Sequence, residues 1–340
     1  MNPEWRTFLE QAGARVADDL DVGFNGAAQD PAIPVPGGFL TDLSQLSVLE
    51  ITGNDAPEFL NNQFISDIKQ LPGNSLHYSA WCNPQGRVIA VFIIYQVEQS
   101  FYLLLPAGLK HRFMKRLQLY VLRSNVVIRD RSAELVRFGI ISSDRIDHLP
   151  AVPQASGSTA HTGELTLLRI DAGPPLRVLV TGPVSAMKNL WQSLAIQFPG
   201  AGSGLWRYQD IHAGIPWILE PTCELFLPQE LNLDITGGLS YLKGCFPGQE
   251  VIARIHYRGT VKQRLHRSFV AADVQQPAPG DKLYAAGSDT GAGTIINVAG
   301  DGRGGYGILA VADLDSAAAG DLHMAGKSGM SMHFEAVASE

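Results

Sequence analysis

One octapeptide, K-G-C-F-P-G-Q-E at residues 243–250, restricts the fold of this chain more than any other stretch. Its two glycines, Gly244 and Gly248, accept backbone angles that a residue with a Cβ resists, so the segment is predicted to be a tight loop. The amphipathic run at residues 251–255 follows directly, and the acid Glu250 suits the positive end of a helix. The sequence therefore predicts a shaped loop that leads straight into a helix.

The same loop carries a single cysteine, Cys245, with Lys243 two residues before it. A cation close to a thiol favours the thiolate, which is the reactive form. A free cysteine is most often a small buried apolar residue, but packing alone does not explain why glycine, lysine, glutamine and glutamate surround it. We therefore predict that Cys245 is a functional thiol and that Lys243 assists it.

The composition limits the class of protein. Of the 340 residues, 45% are hydrophobic and 17% are charged, which excludes a disordered chain and allows two or three domains. The net charge of −7 gives no electrostatic footprint for nucleic acid or an acidic membrane surface. No segment approaches the ~20 apolar residues of a membrane span. We expect no direct contact with nucleic acid or membranes.

The cysteine content points to a compartment. The three cysteines, Cys82, Cys223 and Cys245, show neither a CxxC pair nor the Cys/His spacing of a zinc site. Residues 1–19 carry acids and aromatics at helical spacing and lack the pattern of a secretion signal. We therefore predict an N-terminal helix, no stably bound metal, and a reducing compartment, the cytoplasm.

Periodicity along the chain predicts an α+β fold built on antiparallel sheets. Apolar runs at residues 76–82 and 88–96 predict two strands joined by an Asn-Pro-Gln-Gly turn. Glycine-rich stretches at residues 287–293 and 300–307 lack the G-K-[ST] ending of a phosphate loop, so they predict hairpin turns in a small barrel. The prolines and glycines of residues 30–38 are typical of a linker.

The octapeptide resembles the K-G-C-[FY]-x-G-Q-E signature of the YgfZ/GcvT-like family, folate-binding proteins of iron-sulfur cluster maintenance. All seven defined positions match, and the family's A-R-x-x-x-R-G continuation is similar downstream. Two upstream stretches, residues 51–56 and 213–216, are also similar to family motifs. The matching residues of the signature and its continuation are Lys243, Gly244, Cys245, Phe246, Gly248, Gln249, Glu250, Ala253, Arg254, Tyr257, Arg258 and Gly259.

The resemblance implies a GcvT-type folate-binding fold of two interleaved antiparallel-sheet subdomains plus a C-terminal β-barrel, arranged as a ring around a central channel. The corresponding boundaries are an N-terminal helix and linker at residues 1–38, the GcvT-like region at residues 39–262, and the barrel at residues 263–340. We further expect a monomer.

The resemblance also implies tetrahydrofolate or a derivative as the ligand. Trp206 falls where a tryptophan is expected to pack against the flat pterin. Leu46 stands where the family places another aromatic residue, and His212 stands where folate-dependent relatives place an acid. A carboxylate accepts two hydrogen bonds from the aminopyrimidine edge, and an imidazole does not reproduce that fork. Glu230 is either a substitute partner for the pterin or an acid that is solvated or starts a helix.

Together with the resemblance, Cys245 predicts a protein that assists iron-sulfur cluster assembly or repair, with client or assembly proteins as its partners. One cysteine does not supply the four ligands of a stable cluster. The thiol would therefore relay or transiently ligate iron or sulfur, react with a folate-carried one-carbon unit, or pair with a partner's cysteine.

Two alternatives belong to other classes of function. Aminomethyltransferases of the glycine cleavage system resemble this family and carry an N-x-x-G-x-x-x-D pattern whose acid assists one-carbon transfer to tetrahydrofolate. Asn83 and Gly86 reproduce the frame, but Ala90 stands at the acid's position, and a methyl group neither takes nor gives a proton. A classical enzyme is therefore disfavoured. The other alternative is a non-enzymatic interaction module that senses folate.

Overall fold

The computed structural model describes most of the chain. The described residues are 1–18, 20–24, 37–143, 146, 149, 151–170, 175–271, 276–285, 287–288, 290–320, 322–324 and 331–337. Residues 30–36 of the predicted linker lie outside this set.

The described residues form seven α-helices, none of them long and apolar enough to cross a membrane. The helices are α1 (Pro3–Gln11), α2 (Ala56–Gln63), α3 (Lys110–Gln118), α4 (Val184–Leu194), α5 (Ser203–Ala213), α6 (Gln249–Arg258) and α7 (Leu314–Ala319). The strands up to residue 201 are β1 (Ala14–Val16), β2 (Val22–Phe24), β3 (Phe39–Asp42), β4 (Leu46–Thr52), β5 (Leu76–Cys82), β6 (Val88–Val97), β7 (Ser100–Pro106), β8 (Val127–Asp130), β9 (Leu135–Ser142), β10 (Thr159–Thr162), β11 (Leu165–Arg169), β12 (Leu176–Pro183) and β13 (Gly200–Ala201). The later strands are β14 (Gln263–Val270), β15 (Lys282–Ala285), β16 (Gly291–Gly300), β17 (Tyr306–Asp313), β18 (Leu322–Met324), β19 (Ser331–Met332) and β20 (Glu335–Ala336).

Three larger sheets and one hairpin organise these strands. The five-stranded sheet has the order β5-β6-β7-β4-β8, and the six-stranded sheet has the order β10-β11-β12-β9-β3-β13. A curled, half-barrel sheet of seven strands, in the order β19-β18-β15-β16-β17-β14-β20, occupies the C-terminal part. The β1-β2 hairpin and every other described pairing are antiparallel except β13 with β3. The predicted α+β fold on antiparallel sheets is confirmed.

The two predicted kinds of turn are also present. β5 and β6 form a hairpin whose register runs from Leu76 opposite Tyr95 to Cys82 opposite Val88. The second glycine-rich stretch turns between β16 and β17, where the Asp301 carboxylate accepts backbone hydrogen bonds at 2.7 and 2.8 Å. Glycine there serves a hairpin, as expected, because the side chain of Asp301 closes the turn.

The N-terminal helix is shorter than the spacing of residues 1–19 suggests. It ends at Gln11, and Gly13 follows with a φ of 93°, a left-handed conformation that glycine accepts without strain. The chain then continues into the β1-β2 hairpin.

The six-stranded sheet is buried on both of its faces. Side chains alternate along a strand, so Phe138 and Ile140 of β9 join one core with α1 and α4, whereas Ile141 joins another that also contains residues of the five-stranded sheet. We call this second core the inter-sheet cluster. Its buried members are Phe39, Leu43, Leu46, Val48, Leu76, Ile93, Tyr95, Leu104, Ile141, Leu168, Ile170, Leu179, Ala201, Leu205, Trp206, Ile215 and Trp217.

Candidate functional site

The octapeptide, which we call the thiol loop (residues 243–250), packs on the turn between β5 and β6. Gly248 has a φ of 83°, and a Cβ added to it would lie 2.5 Å from the Cα of Gly86 and 2.6 Å from the carbonyl oxygen of Asn83. No side chain fits in that space, and few residues with a Cβ adopt that φ. Helix α6 then begins at Gln249, so the predicted loop-to-helix transition is confirmed.

The turn that supports the thiol loop is itself held by Asn83. Its side-chain Oδ1 accepts hydrogen bonds from the backbone N–H groups of Gln85 at 3.0 Å and Arg87 at 2.9 Å. Gly86, with a φ of 76°, completes the turn. An asparagine that closes its own turn makes a rigid platform, and the thiol loop rests on it.

Lys243 anchors the opposite end of the thiol loop. Its ammonium group donates hydrogen bonds to three backbone carbonyls, those of Asn61, Phe64 at 2.5 Å and Ser66 at 2.9 Å. An ammonium has three donors, so these bonds use all of them. Burial lowers the pKa of Lys243 to about 8, against the opposing effect of the Asp67 carboxylate. The predicted assistance of Cys245 by this amine stays a prediction, since the described hydrogen bonds of the amine go to the 61–66 segment.

Two of the three thiols are withdrawn from solvent. Cys82 is buried, and burial raises its pKa. Cys223 is half-buried, its Sγ donates to the carbonyl of Ile89 at 3.3 Å, and burial raises its pKa as well. Cys245 is exposed, and its neighbour Gly244 has open space where a Cβ would stand. The thiol loop therefore presents Cys245 outward.

Leu46 and Trp206 both belong to the inter-sheet cluster, where both are buried. The indole packs so closely on β9 that a Cβ on Gly139 would lie 2.3 Å from its ring carbons. The guanidinium carbon of Arg177 lies 5.1 Å from the indole centroid. The ring is thus set between a strand and a cation.

A buried ion pair, absent from the sequence-based predictions, lies next to that indole. Arg177 Nη1 donates to Asp210 Oδ1 at 2.6 Å, and the other carboxylate oxygen accepts a hydrogen bond from Trp217 Nε1 at 2.8 Å. A buried charge is tolerated where it is paired and hydrogen-bonded. An arginine inside the apolar run of β12 was the available sequence signal for this pair.

His212 and Glu230 lie elsewhere. His212 is exposed on α5, and its ring lies 5.7 Å from that of Phe269 in the C-terminal sheet. Partial burial and the charge of Arg267 lower its pKa. Glu230 accepts hydrogen bonds from the Leu227 N–H at 2.7 Å and from Arg87 at 3.3 Å. Its pKa is raised by burial.

The two polar candidates, Glu230 and His212, therefore have different surroundings. The Arg87 contact places Glu230 beside the Asn83 turn, in the region that supports the thiol loop. His212 faces the C-terminal sheet. The structure brings Leu46 and Trp206 together, while the described contacts of His212 and Glu230 are with other parts of the molecule.

Comparison with known proteins assigns the family. A family model described as the GCVT N-terminal domain matches residues 36–144. The tRNA-modifying protein YgfZ of Blochmanniella pennsylvanica is 32% identical over 273 residues, which cover 77% of this chain and 82% of that protein. The chain belongs to the YgfZ family. Another YgfZ, from Colwellia psychrerythraea, is 25% identical, and the match covers 74% of this chain and 80% of that protein.

A solved structure shares the fold. The glycine cleavage system aminomethyltransferase T from Bartonella henselae matches with a TM-score of 0.76 at 14% identity, over 98% of this chain and 96% of that one. This likeness shows that the YgfZ-family chain has a GcvT-like fold.

Ala90 lies at the position where aminomethyltransferases were expected to carry an acid. It is fully buried in β6, opposite Trp81 of β5. Among the described residues, no three His, Cys, Asp or Glu side chains are grouped so that they could hold a metal ion.

Proposed function

We propose that this YgfZ-family chain is a cytoplasmic protein that binds tetrahydrofolate or a derivative and assists iron-sulfur cluster assembly or repair in client enzymes. Cys245 is its functional thiol. The observation that carries the proposal is the way the thiol loop is fixed at both ends while its cysteine stays exposed.

The fixation of the loop supports a functional role because it requires unfavourable desolvation at one end and a glycine at the other. The Lys243 ammonium donates to three backbone carbonyls in place of water, and desolvation of an ammonium is unfavourable. The absence of a side chain at Gly248 allows the loop to contact the Asn83 turn. Neither device buries Cys245, so packing of the cysteine does not account for them.

A single exposed thiol acts together with a second molecule. A stable cluster ordinarily needs four ligands, and Cys82 and Cys223 are withdrawn from the surface. Transient ligation or relay of iron or sulfur, reaction with a folate-carried one-carbon unit, and pairing with a partner's cysteine all suit such a thiol. Each of these uses requires that Cys245 be reachable from outside.

The inter-sheet cluster is the proposed location of the pterin. Leu46 and Trp206 provide apolar and aromatic surface between the two sheets. Thr41 lies opposite Gly139 in the β3-β9 register, so its side chain shares the face that holds the indole. Its Oγ1 is buried with no hydrogen-bond partner among the described residues, and a ligand's polar edge would satisfy it. Bound tetrahydrofolate would supply a carrier for a one-carbon unit.

The names of the relatives suggest one kind of client. Both matched YgfZ proteins are described as tRNA-modifying. We propose that the clients of this chain include an iron-sulfur enzyme that modifies tRNA, which accounts for the relatives' name without direct contact between this acidic protein and RNA.

A complementation experiment tests the role of the thiol. Cells that lack the gene receive wild type, Cys245→Ser or Cys223→Ser at equal protein levels. The readouts are the activity of a [4Fe-4S] dehydratase after oxidant exposure and the modified nucleosides of tRNA by mass spectrometry. We expect Cys245→Ser to lose most of the restored activity and Cys223→Ser to keep it. Full activity of Cys245→Ser would contradict the proposal and favour the folate-sensing module.

A further inference from the structure

The outer face of α6 is open. Of the ten residues of this helix, only Ile252 counts as buried. Part of the remaining surface forms a shallow groove of about 550 Å³. The groove is lined by Glu250, Val251, Ala253, Arg254, Tyr257 and Arg258. We call it the α6 groove.

Two cations of the α6 groove have no partner among the residues that the structure describes. Arg254 and Arg258 are four residues apart, so they project from the same side of the helix. Both are exposed, and neither forms an ion pair or hydrogen bond with any residue that the structure describes. Arg112 and Arg116 of α3 differ, since both pair with Glu224.

Exposed apolar side chains lie in the groove and next to the thiol loop. Tyr257 is 67% exposed within the groove. Leu242, three residues before Cys245, is 95% exposed. Exposed cations next to exposed apolar side chains complement a segment in which acidic and apolar residues alternate.

A short stretch of chain connects the groove to the thiol. A helix rises about 1.5 Å per residue, so Glu250 and Arg258 are about 12 Å apart along the axis. Glu250 comes five positions after Cys245, which limits their Cα distance to about 18 Å. An extended segment of about nine residues therefore spans the groove and reaches the thiol.

We propose that the α6 groove docks an acidic, partly apolar segment of a protein partner and brings it to Cys245. This inference rests on the proposed function, because it names the kind of partner that the thiol serves. Two unpaired cations that share their groove with Glu250 match a short acidic peptide. A nucleic-acid backbone, with its dense row of phosphates, calls for a larger and purely basic surface.

The experiment measures how fast Cys245 in the full-length protein forms a mixed disulfide with a synthetic peptide. The probe is a twelve-residue peptide of alternating Glu and Leu, with one terminal cysteine activated as a 2-pyridyl disulfide. The Cys245 thiolate attacks the peptide sulfur, the old S–S bond breaks, a new one forms, and pyridine-2-thiolate leaves. Docking raises the effective concentration of the disulfide at the thiol. A Cys245→Ser blank subtracts the reaction of the other cysteines.

Comparison of peptides and variants isolates the groove. We expect the Glu peptide to react about tenfold faster than a Gln-for-Glu peptide at low salt, because electrostatic steering raises association rates. The ratio falls towards one in high salt. In Arg254→Glu/Arg258→Glu the ratio falls to one or below, because the reversed charges repel the Glu peptide. Each peptide rate is divided by the rate of the same variant with 2-hydroxyethyl 2-pyridyl disulfide, which corrects for a change in the reactivity of the thiol itself. The control Lys115→Glu/Arg123→Glu alters the net charge equally at exposed sites elsewhere and keeps the ratio.

Three results would overturn the inference. They are equal rates for the two peptides in wild type, an equal loss of the ratio in the Lys115/Arg123 control, and stronger inhibition by a twelve-nucleotide uridine RNA than by an unactivated Glu peptide. Equal rates for the two peptides, together with intact Cys245-dependent complementation, would contradict only the docking role of the α6 groove. A retained ratio without Cys245-dependent complementation would support the groove and contradict the proposed function.

Discussion

The thiol loop and the inter-sheet cluster are built on opposite principles. The loop is held by backbone, through the contact of Gly248 with Gly86 and the carbonyls that bind Lys243. The cluster is held by side chains from both sheets and α5, with Trp206 at its centre. The loop should therefore tolerate changes at its exposed positions but not at its glycine contact. The cluster should tolerate little loss of side-chain volume.

The largest expected effect is in the inter-sheet cluster. Trp206→Ala removes an indole that is 2% exposed, and such truncations cost about 3–5 kcal/mol because the cavity collapses only in part. Urea unfolding followed by circular dichroism measures the loss. A change of less than about 1 kcal/mol would show that the indole contributes little to packing.

A more conservative substitution tests whether the indole of Trp206 contributes to folate affinity. Trp206→Leu retains apolar volume but no ring, so calorimetric titration with tetrahydrofolate should show a Kd about 2- to 10-fold higher than in wild type. An unchanged Kd would show that the pterin does not pack against Trp206.

The second effect concerns the glycine contact of the loop. Gly248→Ala places a Cβ 2.5 Å from the Cα of Gly86 and keeps a φ of 83°, so we expect a loss of about 2–3 kcal/mol in unfolding free energy. Gly244→Ala is the matched control, since its Cβ would meet open space, and it should change stability by less than about 0.5 kcal/mol. Equal effects of the two variants would refute the packed-loop geometry.

The smallest effect concerns the ammonium of Lys243. Lys243→Met leaves three backbone carbonyls without their donor, and we expect the unfolding free energy to fall by about 1–3 kcal/mol. Lys115→Met, at an exposed lysine, serves as the control.

The pH dependence of that variant provides a second check. The folded-state pKa of Lys243 is lowered to about 8 from 10.5, so between these pH values the unfolded chain binds more protons than the folded one. Stability contributed by Lys243 therefore rises with pH across this window. The difference in unfolding free energy between wild type and Lys243→Met should increase from pH 8 towards 10.5. A difference that decreases would contradict the buried position of the amine.

Local features of the site were predictable from the sequence. The thiol loop, the start of α6 at Gln249 and the Asn83 turn depend on glycine, asparagine and helix-start chemistry within a few residues. The strands of the β5-β6 hairpin follow from two apolar runs and the turn between them. Such signals act over short distances along the chain, so a single sequence contains them.

The partners of the site residues were not predictable in the same way. Lys243 bonds to carbonyls of the 61–66 segment, Arg177 pairs with Asp210, and His212 lies against Phe269. Each of these contacts joins segments that are distant in sequence, and no local pattern specifies which residue meets which. The direction in which a long side chain points depends on the assembled sheets.

The contact between Gly86 and Gly248 also has a consequence during synthesis. The two glycines are separated by 248 − 86 = 162 positions. A ribosome adds ~5–20 residues per second, so the second glycine follows the first by ~8–30 s. Gly86 therefore lacks its contact with Gly248 until about three quarters of the polypeptide has been made, and the nascent chain carries an uncovered Asn83 turn until then.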